Sequence, residues 1–278
     1  MNNHAHEVAS GGRFEFGKNW SRFLTVLTEE RIKVAEESLA EMLGVQDLKG
    51  RKFLDVGSGS GLFSLAARRL GASVYSFDYD RQSVACTSEL KRRYYPNDAD
   101  WTVEEGSVLN IHYLQSLGTF DIVYSWGVLH HTGAMWQALE NVHRLISLDG
   151  ILFIAIYNDQ GRASRLWALV KKAYNRMPRG SKFAVLWPAF IRLWIPTMIR
   201  DVIRGKPFHS WKTYSVQRGM SPYYDVVDWV GGYPFEYAKP EDIFDFFRKR
   251  GFVLMKLKTC AGGHGCNEFV LKKQKKVN

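Results

Sequence analysis

Three closely spaced glycines after an apolar stretch are the clearest sign of a ligand site in this chain. Gly57, Gly59 and Gly61 follow the stretch Lys-Phe-Leu-Asp-Val, in which Asp55 lies. Glycine suits a backbone that must turn sharply and lie against a ligand with no Cβ in the way. The next apolar stretch ends in Asp78, 21 positions after Gly57. A carboxylate at that place can accept hydrogen bonds from a ribose diol, which predicts a nucleoside-cofactor site.

The spacing of the glycines separates two kinds of cofactor. A dinucleotide site has the pattern Gly-x-Gly-x-x-Gly, whose third glycine lets a helix and a strand pack around a pyrophosphate. In this chain the third glycine comes one residue earlier. An NAD-dependent oxidoreductase is therefore only the second alternative. A generic α/β turn without a ligand is the remaining interpretation.

The stretch Asp-Val-Gly-x-Gly-x-Gly resembles the first motif of the class I S-adenosylmethionine-dependent methyltransferases. Phe120–Ser125 and the following Trp126-Gly127-Val128-Leu129-His130-His131 are similar to that family's fourth strand and the loop after it. Leu145–Gly150 is similar to its turn into the fifth strand. The resemblance covers residues 50–157 well and residues 240–273 by layout. Within the class, the chain most resembles the small-molecule group that includes the ubiquinone-biosynthesis O-methyltransferases.

The resemblance implies an α/β fold with a doubly wound, mostly parallel seven-stranded sheet, and S-adenosyl-L-methionine as the cofactor. Ligands of such sheets lie beyond the carboxyl ends of the strands. The residues predicted to bind the cofactor are Asp55, Gly57, Ser58, Gly59, Gly61, Asp78, Tyr79, Ser107, Val108, Ser125 and Trp126. Many family members have an acidic residue where Ser107 stands, so the backbone at Val108 is an alternative contact for the adenine.

Two adjacent histidines after the fourth strand are the candidates for a general base. Methyl transfer from a sulfonium is an in-line displacement, so the protein mainly positions the donor and the acceptor. A base helps when the acceptor is a hydroxyl or a protonated amine, and histidine titrates in the useful range. Adjacent residues on a turn point in different directions, so we expect His131 rather than His130 to reach the acceptor. The alternative is a loop histidine that is satisfied by the backbone.

Polar and aromatic side chains from three further segments are predicted to contact the acceptor. They are Tyr157 and Asn158 at the end of strand five, the cluster Tyr223, Tyr224 and Asp225, and His264 and Asn267 of a glycine-rich hairpin. The cluster could equally be the ordinary return of an insertion onto the sheet. No metal is predicted, because Cys260, His264 and Cys266 match no common zinc spacing.

The elements that position these residues divide the chain into four regions. They are an N-terminal lid and helix (1–50), the cofactor-binding half of the methyltransferase domain (51–157), a basic, aromatic helical cap (158–238), and a C-terminal helix with an antiparallel strand pair (239–278). Residues 1–12 are interpreted as a loose tail. The aromatic rings that follow, from Phe14 to Phe23, either cover the cofactor or dock on the sheet. A helix is predicted over Trp136–Ile146 and a strand over Ile151–Tyr157.

The net charge of +10 in 278 residues is concentrated in the cap. Residues 158–220 contain thirteen Lys and Arg against two Asp, a local balance of +11, whereas the remaining 25 basic and 26 acidic residues nearly cancel. Such a segment needs a partner or a solvated role. Three interpretations stay open: a cap over the active site, a cap whose residues 183–204 also contact a membrane, and a nucleic-acid surface.

An RNA methyltransferase that uses the basic cap is therefore the first alternative. No amino-methylating Asp/Asn-Pro-Pro-Tyr/Phe motif is visible, however, and nucleic acid is not the expected partner. Phe183–Ile203 is apolar but is interrupted by two prolines and two arginines, which argues against a transmembrane helix. Three cysteines are too few for a disulfide framework and suit a reducing compartment. We expect a cytoplasmic enzyme with peripheral membrane contact that methylates a small-molecule or lipid-linked acceptor at oxygen or nitrogen.

Overall fold

A computed structural model describes residues 3–218, 222–261, 263 and 265–274. Seven strands form one sheet in this part of the chain: β1 (Lys52–Val56), β2 (Ser73–Asp78), β3 (Trp101–Glu105), β4 (Phe120–Trp126), β5 (Ile146–Tyr157), β6 (Phe252–Lys258) and β7 (Cys266–Lys273). Their order is β3-β2-β1-β4-β5-β7-β6, and β7 alone runs antiparallel to its neighbours. The predicted doubly wound, mostly parallel sheet is confirmed.

Twelve α-helices accompany the sheet in the described residues. They are α1 (Asn3–Ala9), α2 (Gly17–Phe23), α3 (Glu29–Leu43), α4 (Leu62–Arg69), α5 (Arg81–Tyr94), α6 (Ile111–Leu117), α7 (Met135–Val142), α8 (Arg162–Arg176), α9 (Phe183–Ile203), α10 (His209–Arg218), α11 (Pro222–Gly231) and α12 (Pro240–Arg248). One face of the sheet is covered by α3, α4 and α5, and the other by α6, α7 and α12. Both faces are buried because each strand presents apolar side chains in both directions.

The direction of winding changes between β1 and β4, and this places the ligand cleft. Parallel neighbours flank β1 on both sides, and its residues from Phe53 to Val56 are buried. The chain leaves β1 through α4 on one face, whereas α7 leads from β4 on the other face. A crevice therefore opens at the carboxyl ends of these strands.

Two local predictions were wrong. The helix predicted over Trp136–Ile146 ends at Val142, and β5 already begins at Ile146 because that residue pairs with Phe120. Pairing is then irregular up to Ile151, so the predicted turn is a bulge inside a longer strand. The described part of the segment predicted as a loose tail, residues 3–12, is ordered instead, since it contains α1 and its His4 is buried.

The cap is built from α8 to α11 around its own aromatic core. The helix α9 continues for 21 residues through Pro188 and Pro196, although those prolines suggested an interruption. Both prolines lie on its exposed side. In the described chain α9 is the one helix that is long and apolar enough, by length and composition only, to cross a membrane.

Candidate active site

The glycine loop after β1 is stabilised by its own backbone. The amides of Gly57 and Ser58 both donate to the Phe77 carbonyl, at 2.8 and 3.1 Å. The Gly59 amide donates to Oδ2 of Asp78 at 2.9 Å. The loop is therefore hydrogen-bonded to the end of β2. These amide donors point toward the protein rather than into the cleft.

The three glycines adopt backbone conformations that other residues rarely take. Their φ values are +80°, +56° and +81° at Gly57, Gly59 and Gly61. A Cβ at position 57 would collide with the methyl groups of Val128, and one at position 61 would lie 2.8 Å from the Thr87 Cα. Space and φ thus both require glycine here.

Asp78 keeps acceptor capacity on both carboxylate oxygens. Oδ2 accepts from the Gly59 amide and Oδ1 accepts from the Asp80 amide, each at 2.9 Å. A carboxylate offers about four lone-pair positions, so each oxygen has one left. Burial raises the pKa of Asp78 to about 6, although both amides lower it. The carboxylate is therefore mostly ionised at neutral pH and can bind two hydroxyl donors.

Asp55 ends a chain of buried hydrogen bonds that crosses three elements. Trp101 Nε1 donates to Ser76 Oγ at 3.0 Å, Ser76 donates to Ser64 Oγ at 2.8 Å, and Ser64 donates to Asp55 Oδ2 at 2.5 Å. Burial raises the pKa of Asp55 to about 7, against the hydrogen bond from Ser64. Asp55 thus ties β1 to α4, β2 and β3 while it faces the floor of the cleft.

A cleft of about 980 Å³ opens above the loop, large enough for a nucleoside cofactor together with an acceptor. Nine predicted cofactor residues line it: Asp55, Gly57, Ser58, Gly59, Asp78, Tyr79, Ser107, Val108 and Trp126. Two others lie beneath its surface. Gly61 precedes α4, and the buried Ser125 donates from Oγ to the Val56 carbonyl at 2.9 Å. Their predicted role as direct contacts stays a prediction.

The loop after β3 closes one end of the cleft. Ser107 Oγ accepts from the Leu109 amide at 3.2 Å, so this hydroxyl is already engaged. Asn141 Nδ2 donates to the Val108 carbonyl at 2.8 Å and holds the loop in place. Among the described residues the Val108 amide has no hydrogen-bond partner. This amide is thus available to a ligand, as the alternative adenine contact requires.

Aromatic rings from the N-terminal region cover the other end of the cleft. Phe14, Phe16, Trp20 and Phe23 all line it. Trp20 lies directly over the glycine loop, since its Nε1 is 3.1 Å from the place where a Gly59 Cβ would be. Phe23 also belongs to the core beside α3. The rings therefore face the cleft and dock on the domain at once.

A polar contact at the N-terminus was missed in the sequence. Arg13 donates from Nη1 to the His131 carbonyl at 2.8 Å and from Nε to Glu7 at 2.6 Å. Glu7 also accepts from the Tyr79 hydroxyl at 3.2 Å. Glu7 and Arg13 lie on the cleft wall. No spacing could have revealed a contact between residues 118 positions apart.

The two histidines differ in what they can do. His131 lines the cleft, and its Nδ1 lies 2.6 Å from the Pro234 carbonyl. A carbonyl only accepts, so Nδ1 carries the hydrogen and Nε2 is left as an acceptor. Burial lowers the pKa of His131 to about 3, with the Pro234 carbonyl opposing the shift. His130 is fully buried behind it, and its Nδ1 accepts from the Tyr157 amide at 3.3 Å.

The predicted acceptor residues do not form one group. Asp225 lines the cleft. Tyr157 packs against His130 with ring centroids 4.0 Å apart, and Asn158 accepts at 3.1 Å from Asn267, which is buried. Tyr223 is exposed and lies outside the cleft lining. The Tyr224 side chain and His264 lie outside the described residues. The roles of these residues in acceptor binding stay predictions.

Comparisons with known proteins agree with this geometry. Residues 54–154 match a family model described as a methyltransferase domain. The ribosomal protein L11 methyltransferase of Thermotoga petrophila is 36% identical over 108 residues, which cover 38% of this chain and 37% of that protein. The ubiquinone biosynthesis O-methyltransferase of Caulobacter vibrioides is 26% identical over 166 residues, 57% of this chain and 60% of that protein. The chain thus spans less than two thirds of either relative.

Solved structures support the fold. The magnesium protoporphyrin IX methyltransferase of Synechocystis, solved with bound SAH, superposes with a TM-score of 0.54 at 14% identity. The match covers 92% of this chain and 95% of that one. At such low identity the likeness concerns the fold alone. Together with the family model, the comparisons confirm the predicted family, its fold and its cofactor.

Proposed function

Because this chain belongs to the class I methyltransferases, whose methyl donor is S-adenosyl-L-methionine, we propose that it methylates a small-molecule or lipid-linked acceptor at oxygen or nitrogen. The observation that carries the proposal is that the backbone amides of the glycine loop are already hydrogen-bonded. Its amides at Gly57, Ser58, Gly59 and Gly61 all donate to protein acceptors. Such a loop does not have these donors free for a pyrophosphate, which argues against NAD.

The charges on the cleft wall favour the same cofactor. Five carboxylates line the cleft in the described chain, at Glu7, Asp55, Asp78, Asp80 and Asp225. Arg13 and the histidines are the basic groups among its lining residues. S-adenosyl-L-methionine carries a sulfonium, an ammonium and a carboxylate and is positively charged overall, so an acidic cleft attracts it and repels a pyrophosphate.

The residues of the cleft fit the parts of this cofactor. Asp78 can accept from both ribose hydroxyls, and the Val108 amide can donate to the adenine. The bare Gly57 and Gly59 give the close approach that a Cβ would block. The cofactor supplies an activated methyl group on sulfur, and the protein supplies position, exclusion of water and a route for the proton.

His131 is the group that we assign to the acceptor proton. His131 lines the cleft, and the Pro234 carbonyl fixes its ring through Nδ1, which leaves Nε2 as the acceptor. When Nε2 takes a proton, Nδ1 keeps its hydrogen bond, so the carbonyl stabilises the resulting imidazolium. A pKa of about 3 keeps His131 neutral at physiological pH but makes it a weak base, so proton removal has to accompany methyl transfer, which acidifies the acceptor, rather than precede it.

The class of acceptor is inferred from the relatives and from the placement of charge. The relatives named for ubiquinone biosynthesis act on small molecules and match over half of this chain. The cleft is acidic, whereas an RNA methyltransferase needs cations beside the phosphates that flank the target nucleotide. Among the described side chains, the basic residues of the cap lie outside the cleft lining. A small acceptor is thus favoured over RNA.

Calorimetry with S-adenosylhomocysteine and with NAD tests the cofactor. We expect binding of the first and none of the second; the reverse result would refute the assignment.

A tritiated-methyl assay on cell extract, with phenolic, lipid, sugar and nucleic-acid fractions run separately, then identifies the acceptor class. Label in the phenolic or lipid fraction supports the proposal, and label confined to nucleic acid contradicts it.

A further inference from the structure

An unbroken row of large apolar side chains is exposed along α9. The row consists of Phe183, Trp187, Ile191, Ile195, Ile199 and Ile203, which recur every four residues. Their exposed fractions range from 44% at Ile195 to 79% at Ile203. Residues four apart are neighbours on a helix and advance by about 40° at each step, so the apolar row runs for about 30 Å while it winds gradually around α9.

The apolar row is as large as the largest apolar patches on soluble monomers. Aromatic side chains present about 150–250 Å² when fully exposed; with the lower value taken for the four isoleucines, the six exposed fractions correspond to roughly 500–650 Å². The largest apolar patch on a typical monomer is about 300–600 Å², and patches of that size are often binding sites. The row therefore needs a partner.

The opposite side of α9 anchors the helix to the protein. Leu186, Ala189 and Trp194 are buried in the aromatic core of the cap, where Trp194 packs on Trp211 with ring centroids 4.9 Å apart. Asp201 is also buried and accepts from the amide and the hydroxyl of Ser210, both at 2.7 Å. A helix held in this way lies along the surface of the domain.

The next row of α9 shows which partner fits. Exposed Arg192, Arg200 and Arg204 recur at four- and eight-residue intervals directly beside the apolar row. The whole segment 158–220 has thirteen basic residues against two acidic ones. Apolar side chains bordered by cations are what a helix needs to lie in the interface of an anionic lipid bilayer.

We propose that α9 binds the surface of an anionic membrane, with the apolar row inserted among the lipids and the arginine row at the headgroups. The helix does not span the bilayer, because crossing would carry Arg192, Arg200 and the buried Asp201 into hydrocarbon. It packs on α11, which brings Asp225 to the cleft wall. Membrane binding thus places the acceptor side of the cleft near lipid.

Vesicle sedimentation tests the proposal without any use of methyl transfer. The full chain is mixed with phosphatidylcholine vesicles, with and without anionic phosphatidylglycerol. We expect sedimentation with the anionic vesicles and a loss of about tenfold or more in Ile191→Glu/Ile195→Glu. The matched control Val34→Glu/Met255→Glu changes side chains that are exposed by 62% and 60% elsewhere, and should bind like the wild type.

Further variants and outcomes keep the test decisive. Arg192→Gln/Arg200→Gln should reduce the dependence on anionic lipid. Wild-type failure to sediment, or equal sedimentation of the apolar-row variant, would overturn the proposal. So would a dimer that the apolar-row variant converts to monomer without any vesicle binding, since the row would then bind a second copy. Binding of S-adenosylhomocysteine by each variant shows that the variant is folded. Failure of the wild type to bind S-adenosylhomocysteine would contradict the proposed function and would leave the membrane proposal to the vesicle assay.

Discussion

Replacing Asp78 by asparagine removes one charge from the cleft and leaves the shape of the side chain unchanged. In the wild type, the backbone amides of Gly59 and Asp80 each occupy one acceptor position on one carboxylate oxygen of Asp78. Two acceptor positions are therefore left for the ribose hydroxyls. The amide NH₂ of asparagine would face one of these donors and also one hydroxyl. We therefore expect Asp78→Asn to weaken the binding of S-adenosylhomocysteine.

The magnitude follows from the hydrogen bonds at stake. A hydrogen bond to a charged group contributes about 1.5–3 kcal/mol, so the loss corresponds to about 10- to 150-fold weaker binding. The pKa of Asp78 is about 6. Since the ionised form accepts both hydroxyls, wild-type affinity should fall about tenfold between pH 7.5 and pH 5. This slope should be much reduced in Asp78→Asn.

Isothermal titration calorimetry across this pH range measures both effects. The matched control is Glu105→Gln, because Glu105 is the strand neighbour of Asp78 on β3 and lies outside the cleft lining. Its affinity should equal that of the wild type. Unchanged affinity in Asp78→Asn, or an equal loss in Glu105→Gln, would refute the assignment of Asp78 to the ribose.

Three further substitutions separate the roles of other cleft residues. His131→Gln should lower kcat by about 10²–10⁴-fold with unchanged binding of S-adenosylhomocysteine; an unchanged kcat in the methyl-transfer assay would remove His131 as the base. Trp20→Ala should speed release of S-adenosylhomocysteine in stopped-flow measurements about tenfold or more, because the ring covers the glycine loop; an unchanged rate would mean that it only docks on the domain. Burial raises the pKa of Asp55 to about 7 from 3.8, so its stabilising contribution is complete below about pH 4 and is lost as the pH rises through 7. Asp55→Asn should therefore gain up to about 4 kcal/mol of unfolding free energy relative to the wild type between pH 4 and 7.5 in urea titrations; a difference that does not vary with pH would contradict this.

Local patterns of the sequence were sufficient to predict the part of the site that binds the methyl donor. The glycine loop and Asp78 belong to two successive strands of one β-α-β unit, so their relative positions follow from chain geometry once the strands are recognised. The buried strands β1 and β4 were visible in the sequence as apolar runs. The family, the sheet and the cofactor could thus be predicted. The boundary of β5 could not, because pairing with Phe120 extends that strand beyond its apolar run.

Long-range packing determined the parts of the site that the sequence could not predict. His130 and His131 are chemically identical neighbours, and only the Pro234 carbonyl and the enclosure by Tyr157 distinguish the cleft-facing ring from the buried one. The Arg13 contact with the His131 carbonyl joins segments that no periodicity connects.

The cap shows the same division between sequence and tertiary structure. Its basic charge and aromatic content were apparent from composition, and so was the possibility of membrane contact. The exposure of six apolar side chains along α9 became apparent only once other positions of the helix were seen to pack on α10 and α11. A sequence determines which helix faces are apolar, whereas burial of a face depends on what the rest of the chain places against it.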